Sequence, residues 1–180
     1  MIDNTDLTIE RLAAGDAAPL EAFFEVLAAD PETARFFHPH PLTAEFAHEL
    51  CRRQSFARDR FYVARYRGQM AGYLMLRGWE EGFAVPSFGG CVHPAFRGRG
   101  LGQALLAHAI REARALAAPR LRLTVYKANA RAVHVYRKFG FIFREKNEHE
   151  LVGLLELCSS LQLSACGSDG VGSVNNSLSG

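Results

Sequence analysis

The sequence predicts one α/β (α+β) domain in which a central sheet is flanked by helices. Three observations lead to this fold class: two helical patterns follow a short N-terminal strand, the middle of the chain is rich in strand patterns, and the remainder alternates helices with strands. A chain of 180 residues is long enough to bury one core. Its 48% hydrophobic and 22% charged residues are ordinary for a globular protein.

The first part of the chain predicts a strand and two helices. Residues 7–12 alternate in polarity, as a strand does. Asp16 stands at an N-cap position before apolar residues at helical spacing, and Asp30-Pro31 ends that helix. Residues 36–41, with two histidines and two prolines, form a loop. A second helix is predicted for residues 43–56, with its first residue, a threonine, as the cap.

The middle of the chain predicts three strands. Two apolar, aromatic runs between residues 61 and 77 are separated by Gly68-Gln69, which indicates a hairpin. Residues 83–92 predict a third strand. Pro86 and the Gly89-Gly90 pair imply a bulge or a break within it.

The remainder of the domain predicts a helix, a strand, a second helix and a final pair of strands. The first helix begins near Gly100 and ends before Pro119. Residues 121–126 alternate as a strand, and a short helix follows that Gly140 closes. The last two strands lie between residues 141 and 157. One apolar stripe of the first helix comprises Leu101, Leu105, Ala109, Ala113 and Leu116.

Composition indicates where the domain ends, which partners to expect and in which compartment the protein lies. We assign residues 1–158 to the domain and residues 159–180, rich in Ser, Gly and Asn, to a disordered tail. A formal net charge of +2 gives no reason to expect a nucleic-acid partner. Residues 1–6 carry acids where a signal peptide would carry positive charge before an apolar run, and no apolar stretch is long enough for a membrane span. We therefore expect a cytoplasmic protein with four reduced cysteines and no membrane partner.

A glycine- and arginine-rich loop between a strand and a helix predicts a phosphate site. The N-terminus of a helix exposes unpaired N–H groups, glycines let the backbone approach an anion, and arginines donate charged hydrogen bonds. The loop lacks the Gly-Lys-Ser/Thr of a Walker A motif, and Gln103 replaces the third glycine of the dinucleotide fingerprint. The alternative is a tight turn with solvated arginines. The residues expected at the phosphates are Arg97, Gly98, Arg99, Gly100, Leu101, Gly102 and Gln103.

Two motifs resemble those of the GNAT acetyltransferases. Arg97, Gly100 and Gly102 match the family's pattern of arginine, two residues, glycine, one residue and glycine. Residues 129–141 are similar to its stretch of asparagine, alanine and tyrosine closed by Gly-Phe. The resemblance covers about residues 7–157, with specific motifs only in residues 90–141. It implies the GNAT fold, a mixed central sheet with splayed parallel strands flanked by helices.

The resemblance also implies a reaction, in which acetyl-CoA acetylates a primary amine directly through a tetrahedral intermediate. The pantetheine arm would bind the strand edge formed by Cys91, Val92 and His93, where a backbone N–H would polarise the thioester carbonyl. Asn129 would hydrogen-bond the arm, beside Ala132. Tyr136 would protonate the leaving thiolate, unless it is only a core aromatic. Lys138 either reaches a phosphate or is solvated.

The base that deprotonates the amine is left open, because residues 86–91 contain no carboxylate. The nearest acids are Glu80 and Glu81, which are otherwise solvated turn charges. His93 has suitable chemistry but a structural setting. Direct transfer is the family norm and an apolar strand position raises a thiol pKa, so we do not expect Cys91 to be a nucleophile.

The resemblance places the loop at residues 36–41 beside the acceptor. His38 and His40 could therefore contact the substrate, and their spacing lacks the further ligands that a metal site needs.

The expected partners are acetyl-CoA and a small amine or peptide amine, with a homodimer as a frequent assembly in the family. Two other functions stay open. A non-catalytic acyl-CoA-binding or sensor module of the same fold would explain the missing carboxylate. A general nucleotide-binding α/β domain would explain the loop alone.

Overall fold

A single seven-stranded sheet organises the chain. The computed structural model describes residues 6–53 and 58–157. The strands are β1 (Leu7–Arg11), β2 (Arg60–Tyr66), β3 (Gln69–Arg77), β4 (Ser87–Val92), β5 (Arg120–Tyr126), β6 (Ile142–Glu145) and β7 (Glu150–Glu156). The helices are α1 (Ala17–Ala28), α2 (Pro31–Phe36), α3 (Ala44–Arg53), α4 (Leu101–Ala115) and α5 (Ala130–Lys138). The strand order is β1-β2-β3-β4-β5-β7-β6.

The sheet is mixed, and its one parallel pair opens. All neighbouring strands run antiparallel except β4 and β5. These two pair only at Ser87 and Arg122, where the Arg122 N–H also donates to the Pro86 carbonyl at 2.9 Å. Beyond this point the two strands separate. The predicted fold, a mixed sheet with splayed parallel strands flanked by helices, is confirmed.

The two faces of the sheet support two separate cores. Successive strand residues point to opposite faces, so Phe88 and Val92 of β4 pack with α4 while Cys91 packs with α1 and α3. We call the two faces of the sheet the α4 face and the α1 face, after the helices that cover them. On the α4 face, Leu101 and Leu105 pack over Gly72, whose missing side chain leaves room for them.

The predicted elements are confirmed, with one helix added. Asp30 accepts the Thr33 N–H at 2.8 Å as an N-cap, and Pro31 occupies the first helical position. The Asp30-Pro31 pair therefore ends α1 and also begins α2, which the sequence analysis did not predict.

Two residues do not lie where the sequence analysis predicted them, one in a strand and one in the apolar stripe of a helix. The strand expected from residue 83 begins at Ser87, and Phe83 is 60% exposed in the preceding connection. Leu116 was expected in the apolar stripe of α4 but is 41% exposed, because it caps the C-terminus where the helix leaves the core.

Asp16 does not cap α1 with its side chain. Its carboxylate accepts the Ala13 N–H at 2.8 Å and pairs with the Arg65 guanidinium of β2. Thr43 does accept the Phe46 N–H, at 3.3 Å, as predicted for the cap of α3.

Several predictions fall outside the described residues: the end of the second helix to residue 56, the tail at residues 159–180, Cys158 and Cys166. Cys51 and Cys91 are free thiols. Within residues 6–53 and 58–157, every helix is too short or too polar to cross a bilayer.

Asp59 provides a test of how the connection after β3 is held. Its buried carboxylate accepts backbone N–H groups from Gly78 and Trp79 at 2.9 Å and from Glu80 at 3.3 Å. Asp59→Ala leaves these donors without an acceptor, so we expect the free energy of unfolding to fall by roughly 2–4 kcal/mol in urea titrations. Asp59→Asn keeps one acceptor oxygen and should lose less. An alanine variant within about 0.5 kcal/mol of the parent would contradict this account.

Candidate functional site

A cavity of about 1190 Å³ opens where β4 and β5 separate. It exceeds the usual range for small-ligand pockets, and is therefore large enough for an extended ligand together with a second molecule. Its walls come from both separated strands, the N-terminus of α4, helix α5 and the segment after α2.

The N-terminus of α4 has the backbone geometry that an anion site needs. Gly98 (φ 72°) and Gly100 (φ 92°) adopt left-handed conformations that favour glycine. The Gly100 carbonyl accepts the N–H groups of Gln103 and Ala104, at 3.0 and 3.1 Å. The N–H groups of Leu101 and Gly102 precede the first helical hydrogen bond, so a bound anion can accept from them.

Arg97 holds this loop against α2. Its guanidinium contacts Asp30 at 2.6 Å, Thr33 Oγ1 at 2.9 Å and Glu32 at 3.3 Å. Hydrogen bonding to Arg97 is the largest cause that lowers the pKa of Asp30 to about 2. Arg97 lines the cavity, and its charge is shared with the α2 carboxylates.

Asn129 and Tyr136 line the same cavity from α5. Asn129 caps the helix through its Oδ1, which accepts the Ala132 N–H at 3.1 Å, and this leaves the Nδ2 donors available. Tyr136 is half-buried against Phe88 and Phe141, at ring distances of 6.2 and 5.9 Å. Burial raises its pKa to about 12, so the phenol is protonated at neutral pH. Its hydroxyl has no hydrogen-bond partner among the described residues.

The edge of β4 contributes Cys91 and Val92 to the cavity. Burial raises the pKa of the Cys91 thiol, which therefore stays neutral and is a poor nucleophile. Beyond Ser87, in the part of the chain that the structure describes, no strand pairs with the β4 edge that faces β5. An extended ligand can hydrogen-bond to that edge.

Of the four residues predicted on the acceptor side, two line the cavity and two do not. His38 and Glu81 line the cavity. The Nδ1 of His38 lies 3.1 Å from the Tyr126 hydroxyl with the rings in edge contact, and Glu81 pairs with Arg77 at 2.8 Å. His40 and Glu80 do not line it.

His40 and Glu80 have structural partners that explain their positions. His40 hydrogen-bonds to the Tyr73 hydroxyl at 3.0 Å and stacks on Phe46 at 4.4 Å, within the core of the α1 face. Glu80 accepts from the Arg53 guanidinium at 3.3 Å and the Arg58 N–H at 3.1 Å.

Three further predicted residues also lie outside the cavity lining. His93 Nδ1 accepts the Ala95 N–H at 3.2 Å, which closes the turn after β4. The Arg99 guanidinium lies 5.8 Å from the ring centre of Phe96, and Lys138 is exposed at the end of α5. All the other predicted cofactor residues line the cavity.

The sequence analysis did not assign several cavity residues on the α1 face to the site, among them Ser87, Arg122 and Tyr126. The alternation of residues 121–126 already separated Arg122 and Tyr126 from the buried apolar set. Their place opposite β4 depends on the strand register, which the sequence alone did not give. Within residues 6–53 and 58–157, no cluster of three or more His, Cys, Asp or Glu side chains could hold a metal ion.

Comparison with known proteins assigns the family. A sequence model of the acetyltransferase (GNAT) family matches residues 20–141, which include both motifs and more than half of the chain. The chain belongs to the GNAT acetyltransferase family. This match confirms the resemblance on which the prediction of the fold rested.

Individual proteins match the chain either over a short stretch or at low sequence identity. A streptothricin acetyltransferase from Streptomyces lavendulae is 36% identical over 78 residues, which are 42% of this chain and 40% of that protein. The match therefore spans about two fifths of that relative. A GNAT acetyltransferase from Streptococcus pneumoniae has a similar structure, with a TM-score of 0.71 and 22% identity over 84% of this chain and 99% of that one.

A second similar structure contains the expected cofactor. It is yncA from Salmonella typhimurium, solved with its cofactor acetyl-CoA, with a TM-score of 0.69 and 20% identity over 85% of this chain and 95% of that one.

The Asp30–Arg97 pair predicts a pH dependence of stability. Because the folded-state pKa of Asp30 is lowered, its contribution is present above the ordinary value of 3.8 and is lost as pH falls towards 2. Asp30→Asn keeps a capping side chain but removes the charge, so we expect a loss of roughly 1–3 kcal/mol at pH 7. The difference from the parent should shrink between pH 4 and about 2.5, as measured by urea unfolding.

The matched control for this variant is Glu32→Gln, which removes a half-exposed partner of the same arginine. It should cost less than about 0.5 kcal/mol, since exposed ion pairs contribute little. A constant difference between Asp30→Asn and the parent at every pH would reject the ion pair as its cause.

Proposed function

We propose that this GNAT protein is an acetyl-CoA-dependent N-acetyltransferase that acetylates a primary amine. The observation that carries the proposal is the single cavity that joins the N–H groups of α4, the unpaired edge of β4 and the protonated phenol of Tyr136. The cofactor in the similar yncA structure supports the choice of acetyl-CoA. Assembly as a homodimer stays a prediction.

Coenzyme A fits the residues along this cavity. The N–H groups at the start of α4 would hold the pyrophosphate, with Gly98 and Gly100 giving the backbone its approach. The edge of β4 from Gly89 to Val92 would bind the amide groups of the pantetheine arm as a neighbouring strand does. The Asn129 Nδ2 group would donate to the same arm. Acetyl-CoA supplies an activated acetyl group as a thioester.

Tyr136 would donate the proton that the leaving thiolate takes up. Its raised pKa keeps the phenol protonated through the physiological range, and its hydroxyl has no competing acceptor among the described residues. A phenol that begins neutral is available as an acid whenever the sulfur departs. The backbone N–H groups on the open β4 edge would stabilise negative charge on the thioester oxygen.

His38 is the acceptor-side residue best placed to take a proton from the amine. Cys91 and Tyr126 each lie four residues beyond the paired Ser87 and Arg122, so they stand at the same height across the opening. Tyr126 holds the His38 imidazole there by a 3.1 Å hydrogen bond. Glu81 is a weaker candidate, because Arg77 already engages its carboxylate.

A non-catalytic acyl-CoA sensor is the second candidate. It is favoured by the absence of a carboxylate side chain on β4 itself. Turnover with a panel of amines separates the two: a sensor binds acetyl-CoA but releases no CoA with any amine.

Tyr136→Phe tests the proton donor. We expect kcat to fall roughly 10²–10³-fold, since the variant keeps the ring and loses only the acid. The dissociation constant for CoA, measured by calorimetry, should be unchanged within a factor of about two. The control is Phe143→Leu on β6, an aromatic outside the cavity lining, which should retain kcat. An unchanged kcat in Tyr136→Phe would reject this role.

His38→Gln tests the proton acceptor. We expect kcat/KM for the amine to fall roughly 10²-fold or more at pH 7, with KM for acetyl-CoA unchanged. His149→Gln, at an exposed histidine beside β7, is the matched control and should keep the parent's kcat/KM. An unchanged kcat/KM for the amine in His38→Gln would assign the base to another group.

A further inference from the structure

We propose that the amine acceptor carries a carboxylate, as an amino acid does, and that Arg122 binds it. The inference rests on the proposed acetyl transfer and adds the chemical class of the acceptor. It follows from the charged side chains that line the cavity, among which Arg122 differs by having no carboxylate partner in the part of the chain that the structure describes.

Arg122 lies at the closed end of the opening between β4 and β5. It is half-buried, lines the cavity and belongs to the last register pair before the strands separate. Its Nη1 donates to the Ser87 hydroxyl at 3.1 Å, across that pair. The serine thus orients the guanidinium without neutralising it.

The other charged side chains of the cavity are already paired. Arg77 binds Glu81 and Lys146 binds Glu150, both at 2.8 Å. Glu32 lies 3.3 Å from Arg97 and 3.8 Å from Arg131.

Arg122, by contrast, has no carboxylate within ion-pair distance among residues 6–53 and 58–157. Since a partly buried charge without a counter-ion is unfavourable, an anionic ligand gains from binding there. A guanidinium can donate two parallel hydrogen bonds to one carboxylate, which suits this group better than an isolated charge would.

The position of Arg122 agrees with binding of the acceptor rather than the cofactor. By strand alternation it shares the α1 face with Thr124 and Tyr126, opposite the face that carries α4 and Tyr136. Tyr126 and Cys91 lie four residues further along their strands, about 13 Å away. The bond to Ser87 keeps the guanidinium at the closed end, so an acceptor would extend along the opening with its carboxylate at Arg122 and its amine towards Cys91.

Acceptor pairs that differ only in the carboxylate test the proposal. Each pair is an L-amino acid and its C-terminal amide, assayed by CoA release with saturating acetyl-CoA. We expect the parent protein to acetylate the acid with a kcat/KM at least tenfold above that of the amide. Arg122→Gln should lower kcat/KM for the acid roughly 100-fold, mainly through KM, and change that of the amide less than threefold.

The matched control is Arg120→Gln. Arg120 lies on the same strand but pairs with Glu156 at 2.7 Å and does not line the cavity, so both acceptors should be unaffected. Arg122→Lys keeps the charge without the paired donors and should give an intermediate KM for the acid. This second variant also covers the case in which Arg122→Gln does not fold.

Two results would overturn the carboxylate site: a parent that prefers amides or polyamines, or an Arg122→Gln variant that loses both acceptors equally together with acetyl-CoA affinity. Failure of the parent to acetylate any amine would instead reject the proposed function. In that case calorimetry of the CoA-saturated protein still decides the site, because Arg122→Gln should weaken binding of the acid alone.

Discussion

The early end of pairing between β4 and β5 is the constraint on which the site depends. After Ser87 and Arg122 the strands part, and the backbone groups on their facing edges must find other partners. Two glycines in β4 let it pack closely on β3: a Cβ at Gly89 would lie 2.2 Å from the Met75 methyl, and one at Gly90 would lie 3.2 Å from the Tyr73 carbonyl. Among the described residues, the other edge of β4 is free beyond Ser87, and a strand-like ligand can complete it.

The two cores hold the opening from opposite sides, and one ion pair connects them. The loop that carries Arg97 leads into α4 on one face, whereas Asp30 begins α2 on the other. Their contact at 2.6 Å fixes the loop before α4 relative to α2. Because both side chains are largely shielded from water, this contact holds the loop more firmly than an exposed pair would. Arg97 thus positions the loop whether or not it also contacts a phosphate.

The sequence predicted the parts of the site that local chemistry determines. The glycines before α4 and the Asn129 cap have local signatures, so their structural positions could be predicted. The ion pair of Arg97 with Asp30 spans 67 residues, and the place of Arg122 depends on the register of β5 against β4. Periodicity gives the alternation of a strand but not its neighbour's register. His40 was expected beside the acceptor, but Tyr73 and Phe46 from distant elements hold its imidazole away from the cavity. Its local sequence gave no sign of these contacts.

In the proposed reaction, the sheet also separates the two proton transfers. Tyr136 packs on the α4 face with a phenol that burial keeps protonated, while His38 and Tyr126 lie on the α1 face. An acid and a base in direct contact would exchange the proton with each other, whereas here the open edge of β4 lies between them. The leaving sulfur and the incoming amine would reach the reaction from opposite faces, the sulfur beside the Tyr136 phenol and the amine beside the His38 imidazole. The same register that opens the strands sets Tyr126 level with Cys91 and leaves Arg122 at the closed end of the opening.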